Sequence, residues 1–184
     1  MRICISVGHS ILKNGYITSA DGTSLGGGNE YKYCKEFANV LKKHLVAAGH
    51  DVTVLQVPEG TAINTMTEKE YKIARYNKGY DLNLELHLNA AGATARGTEV
   101  LYVSSSGKKY ADAICKNLSG LFANRGSKKR TDLYFLNQTK ATAVLLELFF
   151  CTNKAEWKKG KKKSTQEKMA KFITEAIDSV RLTK

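Results

Sequence analysis

Long apolar runs are missing from this sequence. No segment approaches the roughly 20 residues that span a bilayer, and Met1-Arg2-Ile3-Cys4-Ile5-Ser6-Val7 is too short for a secretory signal and leads directly into patterned sequence. A soluble chain without its own export signal is expected. Cysteine is sparse and scattered: Cys4, Cys34, Cys115 and Cys151 form no Cys-x-x-Cys pair, which argues against a redox motif or a structural zinc knuckle and favours buried free thiols. Pro58 is the only proline, and neither an internal repeat nor a disordered linker divides the chain. Acidic residues are outnumbered, 17 against 29 basic, and the net charge of +12 calls for an anionic partner such as nucleic acid, a membrane surface or an anionic wall polymer.

With 184 residues and 42% hydrophobic content, the chain can build one sizeable core, so a single domain over residues 1–184 is expected. Its centre is the stretch from Asp81 to Ala90, where Leu82, Leu84, Leu86 and Leu88 alternate with polar residues as in a β-strand. His87 then lies at the strand's carboxyl end, the edge of an open α/β sheet where ligands bind. Arg2 to Val7 reads as a first strand and brings His9 to the same edge if the two strands run parallel.

A loop from Ile11 to Gly28 closes with Gly26-Gly27-Gly28 and is free to fold back over the strand ends. Asn29 is a plausible N-cap for a helix with Phe37, Val40, Leu41, Leu45 and Ala48 on its apolar stripe, ending at Gly49, with Glu30 in its first turn. Asp51 to Val57 predicts a strand stopped by Pro58, and Thr67-Glu68-Lys69-Glu70 a capping box opening a helix to about Asn77. Further strands are expected at Thr98–Val103, Leu133–Leu136 and Ala143–Phe150, with a helix from Ser106 and a final one from Ser164 carrying Met169, Phe172, Ile173, Ala176, Ile177 and Val180 on one face. This alternation predicts a three-layer α/β fold, a mostly parallel sheet with helices on both faces. The lysines from Lys154 to Lys163 read as a solvated face that could also hold an anionic wall polymer by salt-screened attraction.

His9, His87 and Glu30 together make a donor set suited to catalytic zinc, with a fourth position open, although no short motif such as His-Glu-x-x-His is present. Glu85, two residues before His87, is either a rival ligand or a partner of the histidine. Glu147 interrupts an apolar run, so its charge needs compensation: a metal-bound water, with burial raising its pKa into the range of a general base, or a salt bridge to Arg75 or Arg125. His44 reads as packed, His50 as solvated, and Glu99 as an ordinary strand residue or a supporting partner of the site.

The blocks Gly8-His9, Asn29-Glu30, Leu86-His87-Leu88-Asn89-Ala90 and Val144-Leu145-Leu146-Glu147-Leu148-Phe149-Phe150 with Asn153, in that order and spanning nearly the whole chain, resemble the zinc-dependent N-acetylmuramoyl-L-alanine amidases of the amidase-3 type. They are most similar to catalytic domains of endolysins from phages of clostridia. The resemblance implies one zinc per chain held by His9, Glu30 and His87, with Glu147 as catalytic acid and base, and cleavage between muramic acid and the L-alanine of the stem peptide. It also implies peptidoglycan as partner, without nucleic acid or membrane insertion. The chain is expected to be a monomer, made in the host cytoplasm and acting on the wall after release. A wall-binding domain often follows such a catalytic domain, and here the chain stops after one helix at Lys184. Two departures stand out: Ser6-Val7-Gly8-His9-Ser10 where relatives often have Asp-x-Gly-His-Gly, and Thr142 where they commonly have proline. Neither removes a ligand. The rival readings are a zinc peptidase or deacetylase acting on another amide, and a basic nucleic-acid-binding module, against which stands the lack of common binding motifs.

Overall fold

Alternating apolar residues put strands where a face can be buried, and the longest of them lie at the centre of the sheet. The computed structural model describes residues 1–76 and 78–182; the expected helix end at Asn77 and the chain end at Lys184 fall outside these. In chain order the elements are β1 (Arg2–Val7), α1 (Glu30–Ala47), β2 (Asp51–Leu55), α2 (Thr65–Tyr76), β3 (Leu82–Asn89), β4 (Thr98–Tyr102), α3 (Ser105–Leu118), β5 (Asn124–Lys129), α4 (Tyr134–Gln138), β6 (Thr142–Phe150), α5 (Lys154–Gly160) and α6 (Lys163–Leu182). The strands form one sheet in the order β2-β1-β3-β6-β4-β5. The first four run parallel, whereas β4 is antiparallel to β6 and carries β5 parallel to itself. This is the three-layer, mostly parallel α/β architecture expected from the alternation of elements.

One sheet face is apolar. Ile3, Ile5 and Val7 of β1, Leu82, Leu84, Leu86 and Leu88 of β3, and Val144, Leu146 and Leu148 of β6 pack under α1, α3 and α6. Ile3, Leu84 and Leu146 are fully excluded from solvent, and each such side chain contributes about 1.5–3 kcal/mol of burial free energy. A smaller cluster, with Cys4, Tyr76, Phe135, Leu136 and Leu145, lies on the other face beneath α2 and α4. All four cysteines are buried and unpaired.

Several elements differ from expectation. Leu133–Leu136 is not a strand: Leu133 stands at the N-cap of α4, because four apolar residues are too few to separate a period of 2 from one of 3.6. The sequence Asn-Arg-Gly-Ser-Lys-Lys of β5 carries no apolar pattern because it is an edge strand open to solvent along most of its length. The lysine-rich stretch begins as helix α5, capped by Asn153, whose side chain accepts from Ala155 N and Glu156 N. At the start of α2 the cap is Asn64 rather than Thr67. The Asn64 side chain accepts from Thr67 N at 2.9 Å and the Thr67 hydroxyl accepts from Asn64 N at 3.1 Å. β2 ends at Leu55, and Ala48 follows α1 as an exposed cap. His50 is buried rather than solvated, 3.2 Å from Asp178 on α6, and His44 pairs with Glu167 at 2.7 Å.

Candidate metal and catalytic centre

Parallel pairing of β1 with β3 brings both strand-end histidines to one edge. Gly8 N donates to Leu86 O at 3.0 Å, and the His9 and His87 rings meet edge to face with centroids 4.9 Å apart. Gly8 has to be glycine: a Cβ there would stand 2.5 Å from His87 Cε1 and 2.6 Å from Leu86 O. His9 itself takes φ 63°, a left-handed conformation uncommon for a residue with a side chain, and the turn aims its ring across the strand ends.

Glu30 reaches the same point from the first turn of α1. The Asn29 side chain accepts from Lys32 N as predicted, while Glu30 Oε1 accepts from Leu88 N and Oε2 from Ala20 N, each at 3.0 Å. The glycine run before it serves mainly close approach. A Cβ on Gly27 would lie 1.7 Å from Cys151 O and one on Gly28 2.1 Å from Trp157, whereas only Gly26 of the three has positive φ.

Glu30 Oε1 stands 2.9 Å from His87 Nδ1 and Oε2 3.2 Å from His9 Nε2. The donor atoms of His9, Glu30 and His87 all lie within 4.8 Å of one another. Two donors sharing a tetrahedral ion about 2.1 Å from each would be roughly 3.4 Å apart, so the three side chains fit a zinc-sized cation. The electrostatics agree. Burial alone would lower the His87 pKa, yet the Glu30 and Glu85 carboxylates at its two ring nitrogens push it up to about 10. Glu30, which burial alone would raise, is held well below the usual carboxylate range by His87 and His9. Such surroundings stabilise positive charge between these groups.

Glu147 occupies the neighbouring strand in register with His87 on one side and Glu99 on the other. Its Oε2 is buried without a hydrogen-bond partner among the described residues. Burial pushes its carboxyl up to about 7, with the nearby Glu30, Glu99 and Glu85 charges adding to the rise and His87 opposing it. Neither arginine considered as its partner serves it. Arg125 Nε bonds Glu99 Oε2 at 2.8 Å, and Arg75 donates to Tyr71 O and lies over the Tyr71 ring. Glu99 is neutralised by Arg125 and by Lys128 at 2.5 Å, and Asn89 Nδ2 donates to its Oε1 at 3.1 Å. Glu85 does not face the three donors; it bonds the far nitrogen of His87, Nε2, at 3.1 Å.

A cavity of about 600 Å³ opens beside these groups, lined by His9, His87 and Glu85 at its floor, by Glu68, Lys69 and Lys72 of α2, and by Tyr134, Phe135 and Asn137 of α4. The contribution of α2 was not evident in the sequence, where Glu68 read only as an inner position of the Thr67-Glu68-Lys69-Glu70 capping box. The signal was the spacing Glu68, Lys72, Tyr76, three polar-headed side chains one turn apart, all of which are buried. Ser10, where relatives often have glycine, is buried and donates to Glu68 Oε2 at 3.0 Å.

Three relatives are similar to this chain, one by structure and two by sequence. A solved structure described as the catalytic domain of the CD27L endolysin targeting Clostridia Difficile is 49% identical, covers 97% of each chain and superposes with a TM-score of 0.92. An uncharacterized protein of Clostridium perfringens is 31% identical over 186 residues, 97% of this chain and 52% of its own length. A probable autolysin of Staphylococcus aureus is 31% identical over 147 residues, 70% of this chain and 30% of its own. The chain thus spans about half the length of the first curated relative and less of the second. The Amidase_3 family model, described as N-acetylmuramoyl-L-alanine amidase, matches residues 3–179, and by that match the chain belongs to this family.

Proposed function

We propose that this chain is a peptidoglycan hydrolase, a zinc-dependent N-acetylmuramoyl-L-alanine amidase that cleaves the amide between muramic acid and the L-alanine of the stem peptide. The observation that carries the reading is the juxtaposition of a three-donor cluster, His9, Glu30 and His87, with Glu147 in register beside it, its Oε2 buried without a hydrogen-bond partner among the described residues. His9, Glu30 and His87 would hold the zinc, which when bound supplies Lewis acidity to the scissile carbonyl and to the attacking water.

Glu147 takes the proton of that water and returns it to the departing amine of L-alanine. A carboxyl raised to about 7 is matched to both halves of that exchange near neutral pH. Glu30 is held by two backbone N–H groups, so it offers the same oxygens without reorganising during reaction. The cavity between α2 and α4 has the volume for a stem peptide beside the scissile bond. The net charge of +12 favours accumulation on anionic wall polymer. Its relation to the CD27L catalytic domain supports an endolysin role; the proposal further takes the enzyme to be a monomer of phage origin, made in the host cytoplasm, that lyses the wall after release.

The test is metal content and product analysis on purified wall, for the native chain and for His87→Ala. About one zinc per chain, its loss in His87→Ala, and release of new amino groups without new reducing sugars are expected. New reducing ends, or amino groups arising within the peptide rather than at L-alanine, would replace this reading by a glycosidase or a peptidase.

A further inference from the structure

Each histidine of the donor cluster has one ring nitrogen turned away from Glu30, and both of those nitrogens lead into the same buried residue. His87 Nε2 meets Glu85 Oε1 at 3.1 Å, and Glu85 Oε2 lies 3.4 Å from Lys72 Nζ. On the other side, His9 Nδ1 is 3.4 Å from the Thr18 hydroxyl, which donates to Glu68 Oε2 at 2.9 Å, and Glu68 Oε1 lies 3.5 Å from the same Lys72 Nζ. The Lys72 side chain is 6% exposed, and those of Glu68 and Glu85 are 7% and 9%. A lysine so buried persists only where its charge is met, and here it stands between the Glu68 and Glu85 carboxylates.

We propose that Lys72 is a positioning residue for the metal site: by fixing the two carboxylates behind the histidines, it fixes which nitrogen of each ring is offered to the cation. The tautomers follow from the donors. Glu85 can only accept, so it takes Nε2–H of His87 and leaves Nδ1, the nitrogen beside Glu30, for the cation. Thr18 spends its hydroxyl proton on Glu68, so its oxygen accepts Nδ1–H of His9 and leaves Nε2 free. Both free nitrogens are the ones that face Glu30. Partners of this kind orient metal-binding histidines and strengthen them as donors. Tyr76 donates to Glu85 Oε2 at 2.6 Å and Ser6 at 3.1 Å, so that oxygen keeps two neutral donors in Lys72→Met and the variant removes the cation between the carboxylates rather than all that holds them.

This inference rests on the zinc reading, and its test uses no wall substrate. Zinc affinity is measured by chelator competition for the native chain, Lys72→Met, Glu85→Gln and the double variant, with the visible spectrum of the cobalt-loaded proteins and the unfolding temperature of the metal-free ones. Lys72→Met is expected to weaken zinc roughly 10–100-fold and to shift the cobalt bands, with the double variant no worse than the worse single one. Unchanged affinity and spectrum in Lys72→Met overturn the proposal. Should Lys72→Met fail to fold, Thr18→Val cuts the His9 arm, together with the bond that the hydroxyl accepts from Ser10 N at 3.1 Å, and leaves the Glu85 arm intact. Weaker zinc binding and a shifted spectrum there support the relay, and unchanged values overturn it. A native chain that binds no zinc overturns the zinc reading itself, a different result from a native chain that binds it while Lys72→Met binds equally well.

Discussion

The two faces of β3 come from the same eight residues and are built on opposite terms. Leu82, Leu84, Leu86 and Leu88 enter a close-packed apolar layer under α1, α3 and α6, whereas Asn83, Glu85, His87 and Asn89 face the side of α2 and the cavity. Over its first half the polar face is as dry as the apolar one; Asn83 is fully buried and Glu85 is 7% exposed. An alternating strand usually has its polar side in water. Here that side is covered, and its charges are met by Lys72, Glu30 and the neighbouring strands. One face therefore carries the fold through burial, and the other spends stability on ordered charge.

This contrast can be broken from either side. The largest effect is expected from Glu147→Gln, which removes the proton carrier but keeps the side chain's size. Wall hydrolysis should fall about 10²–10⁴-fold while zinc content and unfolding temperature stay near native, and a fall in both would show that Glu147 serves the fold instead. On the apolar face, Leu84→Ala should cost about 2–5 kcal/mol in chemical unfolding, with the specific activity of the folded fraction retained. Gly8→Ala tests the seam between the faces. Its new Cβ must displace the His87 ring, so zinc affinity should drop while overpacking costs about 1–3 kcal/mol, and native affinity in that variant would contradict the close fit described above.

The smallest effect concerns pH. Burial lowers the pKa of His50 from 6.5, with Asp178 opposing, so the fold favours the neutral ring. Its contribution is fully present above 6.5 and is lost as pH falls from there through the lowered folded value. Because the raised groups Glu147 and His87 contribute in the opposite sense, the decline is read as the difference between the native chain and His50→Gln, which should shrink between pH 7 and pH 5 in chemical unfolding.

The apolar face was legible in the sequence because period-2 alternation in β3 and the unbroken run in β6 have few competing readings. Asn29 as a cap was equally plain, and it fixed where Glu30 begins its helix. The donor cluster was legible as three separate elements ending in metal-binding groups, and the fold brings those ends together. What the sequence hid was local patterning too weak to read. β5 is polar at every position except a glycine, α4 offers one turn of apolar residues, and Asn153 caps a helix inside a lysine run. The back of the site was hidden for a different reason. Lys72 and Glu68 carry the same letters as any solvated helix face, and only the placement of α2 over the sheet buries them.

The thiols give the molecule a further property. Burial pushes Cys4 and Cys151 up to about 12 and Cys115 to about 11, and holds Cys34 well above its ordinary value. Thiolate is the reactive form, so at neutral pH the folded chain presents almost none for oxidation, alkylation or disulfide exchange. Passage from a reducing to an oxidising medium would leave its covalent structure unchanged, and reagents that trap cysteine would report unfolding rather than accessibility.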